Sequence, residues 1–346
     1  MKNIQEIDKN FKVDTKIERD DIKFYSINTS PFKVYGVFYE DGKYRRLPKD
    51  TARGVSDGVY HLHANTAGGR VRFRTDSAYV AINVKMGSVG KMPHFALTGS
   101  CGFDLYADNE YFATFVPPFD MTEGYEGIIE LRGAKMRDIT INFPLYSEVC
   151  RLYIGLSSNA QVLAPTPYKG EKPVVYYGSS ITQGGCASRP GNSYEAIVSE
   201  WLNIDHINLG FSGNAKAEAA ISQYIKGLDM CAFVYDYDHN APTVEHLRAT
   251  HERMFSEIRA SHPNLPIIIM SRPKCNLTEE EKERLEIIKS TYERALAQGD
   301  KNVYFISGKE LMKLSGDSGT VDSCHPNDWG FYSMASAIYN VLKDII

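Results

Sequence analysis

The stretch VVYYGSSITQGG, residues 174–185, decides how this chain is read. Two valines and two tyrosines make a short apolar run of the kind that forms a buried strand. It breaks at Gly178, and the adjacent Ser179 and Ser180 come next, with Gly184 and Gly185 a few residues on. Glycine and serine at a strand end are ordinary turn chemistry, but the same turn can present a hydroxyl as a nucleophile. The rest of the chain separates the two readings.

Downstream, apolar strands alternate with helical patterns, which implies a parallel sheet covered on both faces. The strands are read at Val174–Tyr177, His206–Leu209, Cys231–Tyr235, Pro266–Met270 and Val303–Ile306. Tyr194, Ile197, Val198, Trp201 and Leu202 form one helical stripe. Thr278 with Glu281 makes a capping box that opens a later helix. The last helix is expected from about Pro326, with Trp329, Tyr332, Ala335, Tyr339, Leu342 and Ile346 on one face.

Upstream, the pattern changes. KVYGVFY, RVRFRT, YVAINVK, ATFVPP, DITINF and RLYIGL are short runs rich in Val, Ile, Phe and Tyr, separated by turn residues. They imply antiparallel sheets packed as a sandwich or jelly roll. The connector PTPYKGEKP, residues 165–173, separates the halves. The expected division is a β-sandwich, jelly-roll-like domain over 1–165 and an α/β domain over 172–346.

Composition narrows the function. A net charge of −4 offers no basic footprint for nucleic acid. No segment reaches the roughly 18 consecutive apolar residues of a membrane span. The N-terminal stretch MKNIQEIDKNFKVDTKIERDD lacks an apolar signal region, so the expectation is a cytoplasmic protein, or a secreted or periplasmic one if a leader has been removed. The six cysteines, at 101, 150, 186, 231, 275 and 324, are widely spaced, which argues against a zinc site or a disulfide scaffold. A homo-oligomer stays open.

Ligands of an open parallel sheet bind beyond the C-terminal ends of its strands. There the chain places Ser179 and Ser180, then NLGFSGN (208–214), DYDHN (236–240) and DSCHP (322–326). Acyl transfer by serine needs such an inventory. The hydroxyl requires a neighbouring base, the base a group that orients it, and the tetrahedral oxyanion fixed donors. Asp322 and His325 can supply an oriented base, and Gly213 and Asn240 are suitable donors.

These blocks, in this order, resemble the SGNH (GDSL-type) esterase superfamily, and GFDLY, residues 102–106, is similar to a Gly-x-Asp-Leu-Tyr motif of the β-domain that precedes the esterase domain in one bacterial branch. The resemblance implies a flavodoxin-like α/β/α catalytic domain with a five-stranded parallel sheet. It implies Ser180 as nucleophile, His325 as base and Asp322 as its orienter, with a backbone carbonyl as the alternative orienter. The oxyanion hole would be formed by the N–H groups of Ser180 and Gly213 and the amide of Asn240. The chain departs from the family in two places: Ser179 stands where Asp is usual, and DYDHN replaces the usual Gly-x-Asn-Asp.

The expected function is a serine esterase removing small acyl groups, acetyl foremost, from carbohydrate, with a small-molecule or oligosaccharide ester as substrate and no cofactor or metal. A lipid or thioester acylhydrolase is the alternative, and a non-catalytic glycan-binding protein the second. His251 lies on the apolar stripe Val244, Leu247, Phe255 and Ile258, so a packed core histidine is expected. HLH (61–63) and DYDH have no third metal ligand at a recognised spacing. Cys186 and Cys324 read as pocket-wall residues.

Overall fold

A computed structural model describes residues 13–346. The parallel strands, numbered here β1 Val174–Gly178, β2 His206–Gly210, β3 Ala232–Asp236, β4 Ile267–Met270 and β5 Val303–Ile306, form one sheet in the order β2-β1-β3-β4-β5. That is the flavodoxin-like order, whose topological switch point lies between β1 and β3. Alternation along β1 divides its side chains between two layers. Val175 and Tyr177 join Phe233, Tyr235, Ile267 and Ile269 under the helices Val244–Ser261 and Glu279–Ala297. Val174 and Tyr176 face the helices Tyr194–Leu202 and Asp328–Leu342 on the other side.

The upstream half is a β-sandwich. One antiparallel sheet runs Ile22–Ser26, Val149–Ser157, Tyr79–Met86, Gly124–Glu130. The other runs Val162–Leu163, Arg70–Thr75, Arg137–Asn142, Phe103–Ala107, Glu110–Phe115, with Lys33–Tyr35 pairing onto Arg70–Thr75. Phe73, Phe103, Ile139, Ile82 and Ile154 fill the space between them.

Some expectations change in detail. KVYGVFY is two strands, because Gly36 takes a left-handed φ of +71° and comes so close to the carbonyl of Gly68 that a Cβ would overlap it. The first half also contains the helices Lys49–Val55 and Asp57–Leu62, whose Ala52 and Val59 bury into the core of the α/β half. The last helix starts at Asp328, capped by Asn327, and buries Phe331, Met334, Ala335, Ile338 and Leu342. Trp329 and Tyr332 are instead half-exposed, at 53% and 50%. The aromatic stripe competes with an aliphatic one a third of a turn away, and Tyr332 and Tyr339 pack edge-on against Trp201 at the rim.

Arg46 joins the halves. It is fully buried, and its guanidinium donates to the carbonyls of Leu62 (2.9 Å), Asn65 (2.7 Å), Asn208 (3.2 Å) and Gly210 (2.6 Å). Replacing it leaves several buried carbonyls unpaired. Arg46→Met should lower stability by at least about 3 kcal/mol, read from the midpoint of urea unfolding. A loss below about 1 kcal/mol would show that these bonds are not needed.

Candidate active site

Ser180 leaves the end of β1 at the switch point. The strand's last residue, Gly178, has no room for a side chain: a Cβ would lie 2.0 Å from the Asp236 carbonyl oxygen on β3. Ser179 turns inward. It is fully buried, and its hydroxyl accepts the Ile181 N–H at 3.1 Å, closing the turn. Ser180 is left half-buried and facing outward. The chain does not pass straight into a helix. Left-handed backbone at Gly184 (φ +91°) and Cys186 (φ +76°) keeps residues 180–186 in successive turns, and the next α-helix starts only at Tyr194.

The Ser180 Oγ lies 2.9 Å from His325 Nε2, and His325 Nδ1 lies 2.8 Å from Asp322 Oδ2. The three groups form one hydrogen-bonded row. Asp322 and His325 share a tight turn rather than the start of the helix: Asp322 Oδ1 accepts the N–H groups of Cys324 (3.1 Å) and His325 (2.7 Å), while Ser323 takes φ +65°. Burial alone would raise the Asp322 pKa. The His325 and Cys324 N–H groups and the imidazole outweigh it and hold the carboxyl below its ordinary range.

Gly213 sits in a turn with φ +70° and open space where a Cβ would project. Among the described residues, neither its N–H nor that of Ser180 has an acceptor within the protein. Asn240, in the short 3₁₀ turn Asp238–Asn240, donates its amide to the Phe211 carbonyl at 3.1 Å. That uses one of two amide hydrogens. The same 3₁₀ turn is fixed from below by Asp238, whose carboxylate receives bonds from Arg272 Nε (2.9 Å) and Nη2 (3.0 Å). Asp238 is therefore an ion-pair residue.

Sequence reasoning missed several groups. Tyr146, from the loop between the sandwich strands Arg137–Asn142 and Val149–Ser157, donates to the Ser180 carbonyl at 3.1 Å. Gln183 links two blocks, accepting the Ser212 N–H at 3.0 Å. His239 is half-buried beside Cys324, and desolvation pushes its imidazole down to about 4, so it is neutral at physiological pH. Nothing in the spacing of these residues marks them, since their partners come from distant elements. His63 is held by Arg45 at 2.5 Å and His251 by Thr291 at 2.8 Å, both buried. Burial pushes the Cys186 thiol up to about 12. A separate small cavity, lined by Arg70, Arg72, Tyr168 and His206, lies at the opposite, N-terminal end of β2.

A serine, an imidazole and a carboxylate thus stand in one row at the switch point of a flavodoxin-like sheet, an arrangement suited to a hydrolase. A family model described as GDSL-like lipase/acylhydrolase matches residues 171–343, and one described as the N-terminus of SGNH-hydrolase-type esterases matches residues 22–162. The chain belongs to the GDSL-like lipase/acylhydrolase family, with the N-terminal domain of its SGNH-type esterases, and is an ester hydrolase. Among solved structures it is similar to a GDSL-like lipase of Bacteroides ovatus, at 29% identity and a TM-score of 0.82 over 94% of this chain and 98% of that one. A salicylyl-acyltransferase from a tetracycline biosynthetic pathway shares 19% identity and a TM-score of 0.78, over 94% and 98%. An acetyl xylan esterase of Butyrivibrio proteoclasticus shares 11% and a TM-score of 0.60, over 93% and 98%. No curated protein matches.

Asp236 lies against the turn that carries Ser180. Burial raises its carboxyl to about 7, although Thr182 donates to it at 3.2 Å. Between its ordinary 3.8 and about 7, the folded chain holds a proton that the unfolded chain has lost. Stability therefore falls as pH rises through that window and levels off above it. Asp236→Asn should flatten the slope and gain relative to the native chain above pH 7, as read from urea midpoints at several pH values. An unchanged slope would show that Asp236 is ionised throughout.

Proposed function

We propose that the protein is a serine esterase that removes small acyl groups, acetyl foremost, from carbohydrate through an acyl-enzyme intermediate. The observation that carries the chemistry is the unbroken row from Ser180 Oγ through His325 to Asp322. In this reading His325 Nε2 takes the Ser180 proton as Oγ attacks the ester carbonyl. The oxyanion accepts hydrogen bonds from the Ser180 and Gly213 N–H groups and from the Asn240 amide. The tetrahedral intermediate collapses as His325 returns the proton to the leaving sugar oxygen. Water then attacks the acyl-Ser180 ester by the same route in reverse, releasing the acid and restoring the serine.

The carbohydrate assignment draws on three supports. The two-part fold is shared with an acetyl xylan esterase. The half-buried Ser180 and His325 stand open to a bulky leaving group. Polar and aromatic groups from the β-sandwich side, Tyr146 and His94 among them, border the row and can read ring hydroxyls. Polar rim groups left unpaired by the wrong sugar are how such sites discriminate.

The test measures acetate released from acetylated xylo- and manno-oligosaccharides against turnover of p-nitrophenyl octanoate and an acyl-CoA. Faster turnover of octanoate or the thioester than of every acetylated sugar would replace the carbohydrate reading with a lipid or thioester one. Ser180→Ala should abolish hydrolysis, while Ser179→Ala keeps a measurable share. Asn240→Ala should lower kcat about 10²–10³-fold with little change in KM, the usual cost of one oxyanion donor. A change in KM alone would mean that Asn240 contacts substrate instead.

A further inference from the structure

One cluster beside the catalytic row has a chemistry that ester hydrolysis does not use. His94, exposed on the loop after the strand Tyr79–Met86, faces His325 with ring centroids 5.7 Å apart. Cys186 ends the nucleophile turn, with its thiol buried. One ligating atom from each of His94, Cys186 and His325 lies within 4.8 Å of the other two. Neither His94 nor Cys186 makes a side-chain hydrogen bond among the described residues, so no competing partner holds them. His325 Nδ1 is committed to Asp322, which leaves Nε2, the nitrogen facing Ser180, as its available lone pair.

Two imidazoles and a thiolate are a donor set for borderline-soft divalent cations, not for Mg²⁺ or Ca²⁺. Tetrahedral zinc with bonds of about 2.0–2.3 Å separates its donor atoms by about 3.3–3.6 Å. Closing from 4.8 Å requires a movement of about 1 Å, which a rotamer adjustment of the exposed His94 can provide.

We propose that His94, Cys186 and His325 form an inhibitory site for a borderline-soft divalent cation, Zn²⁺ foremost, which stops hydrolysis by occupying the lone pair of the base. Binding exchanges the Cys186 thiol proton for a sulfur–metal bond and releases that proton to solvent. No oxidant or further reactant is needed. With three protein ligands, the fourth position faces Ser180, so the cation also blocks the approach of an ester. The cation site itself stands on the geometry alone; only the loss of activity rests on His325 being the base.

The test uses the full chain, without chelator, in two arms. In the first, Co²⁺ is added as a spectroscopic probe. The expected result is a thiolate-to-cobalt charge-transfer band at near one equivalent, lost in Cys186→Ser and weakened in His94→Ala. In the second, hydrolysis of p-nitrophenyl acetate is monitored against Zn²⁺. Zinc should inhibit and EDTA should restore the rate, while Mg²⁺ has no effect. Each substitution should raise the half-inhibitory zinc concentration at least about tenfold, read against that variant's own metal-free rate. No cobalt–thiolate band in the native chain, or a half-inhibitory concentration unchanged by both substitutions, overturns the site. A chain that shows the band but hydrolyses no ester keeps the cation site and loses the esterase reading.

Discussion

The buried guanidinium of Arg46 is the contact on which the arrangement of the two halves and the catalytic edge both depend. An arginine removed from water must satisfy its fork of donors, and here carbonyl oxygens serve, with no carboxylate paired to it among the described residues. Two of those carbonyls, from Leu62 and Asn65, belong to the first half. The other two, from Asn208 and Gly210, belong to the end of β2. The guanidinium also lies over the Phe211 ring at 4.8 Å, and the Phe211 carbonyl in turn holds Asn240. One side chain from the β-sandwich half thus fixes the strand end that carries Gly213, and reaches Asn240 through one more residue.

The Gly-x-Asp-Leu-Tyr motif performs the corresponding task on the other flank. Asp104 is wholly buried and receives the Arg189 guanidinium (2.9 Å), the Gly191 N–H (2.8 Å) and the Asn142 amide (2.9 Å). Burial nonetheless raises its pKa, so the carboxylate relies on those donors to stay charged. Arg189 lies over the Tyr111 ring at 3.9 Å. Next to it, Ser188 is bonded through both its N–H and its hydroxyl to Asp328, at the start of the last helix. The segment after the nucleophile turn is therefore clamped between the β-sandwich and the helix just beyond His325. The motif's acid is a tether for the segment that follows Ser180, which accounts for a charged residue within a wholly buried β-strand.

The parallel sheet was legible because its three inner strands are short, wholly buried runs that are apolar but for the closing Gly178 and Asp236, and such runs stand out from the amphipathic helices between them. The convergence of Ser180, His325 and Asp322 was legible because the sheet's geometry dictates where ligands bind, so polar residues at several strand ends meet at one edge. Other features could not be read from the chain. The choice between two stripes on the last helix depends on whether Trp201 occupies the rim, a tertiary fact. The helices at 49–62 are short, and what holds them is burial of Ala52 and Val59 in the other half's core rather than a periodicity of their own. Tyr146, Gln183 and Arg46 act through backbone carbonyls and amides, and no residue pattern records which carbonyl will be near.

The row of Ser180, His325 and Asp322 combines a local element with a non-local one, and this division explains its exposure. Asp322 and His325 need only a three-residue turn, closed by two N–H bonds to the same carboxylate oxygen. That turn fixes the tautomer and direction of the imidazole without burying the acid, whose side chain is 35% exposed. Ser180 comes from 145 residues away and is aimed by a fully buried neighbour, Ser179, and by glycines that admit close backbone packing. Rigidity therefore comes from the buried strand end, while the acid–base pair sits on the surface with its carboxylate kept ionised by backbone donors. An imidazole oriented in this way presents Nε2 to the Ser180 hydroxyl and its ring to the exposed His94. The Nε2 lone pair that meets the serine hydroxyl is the same one that the cation proposed at His94 and Cys186 would occupy.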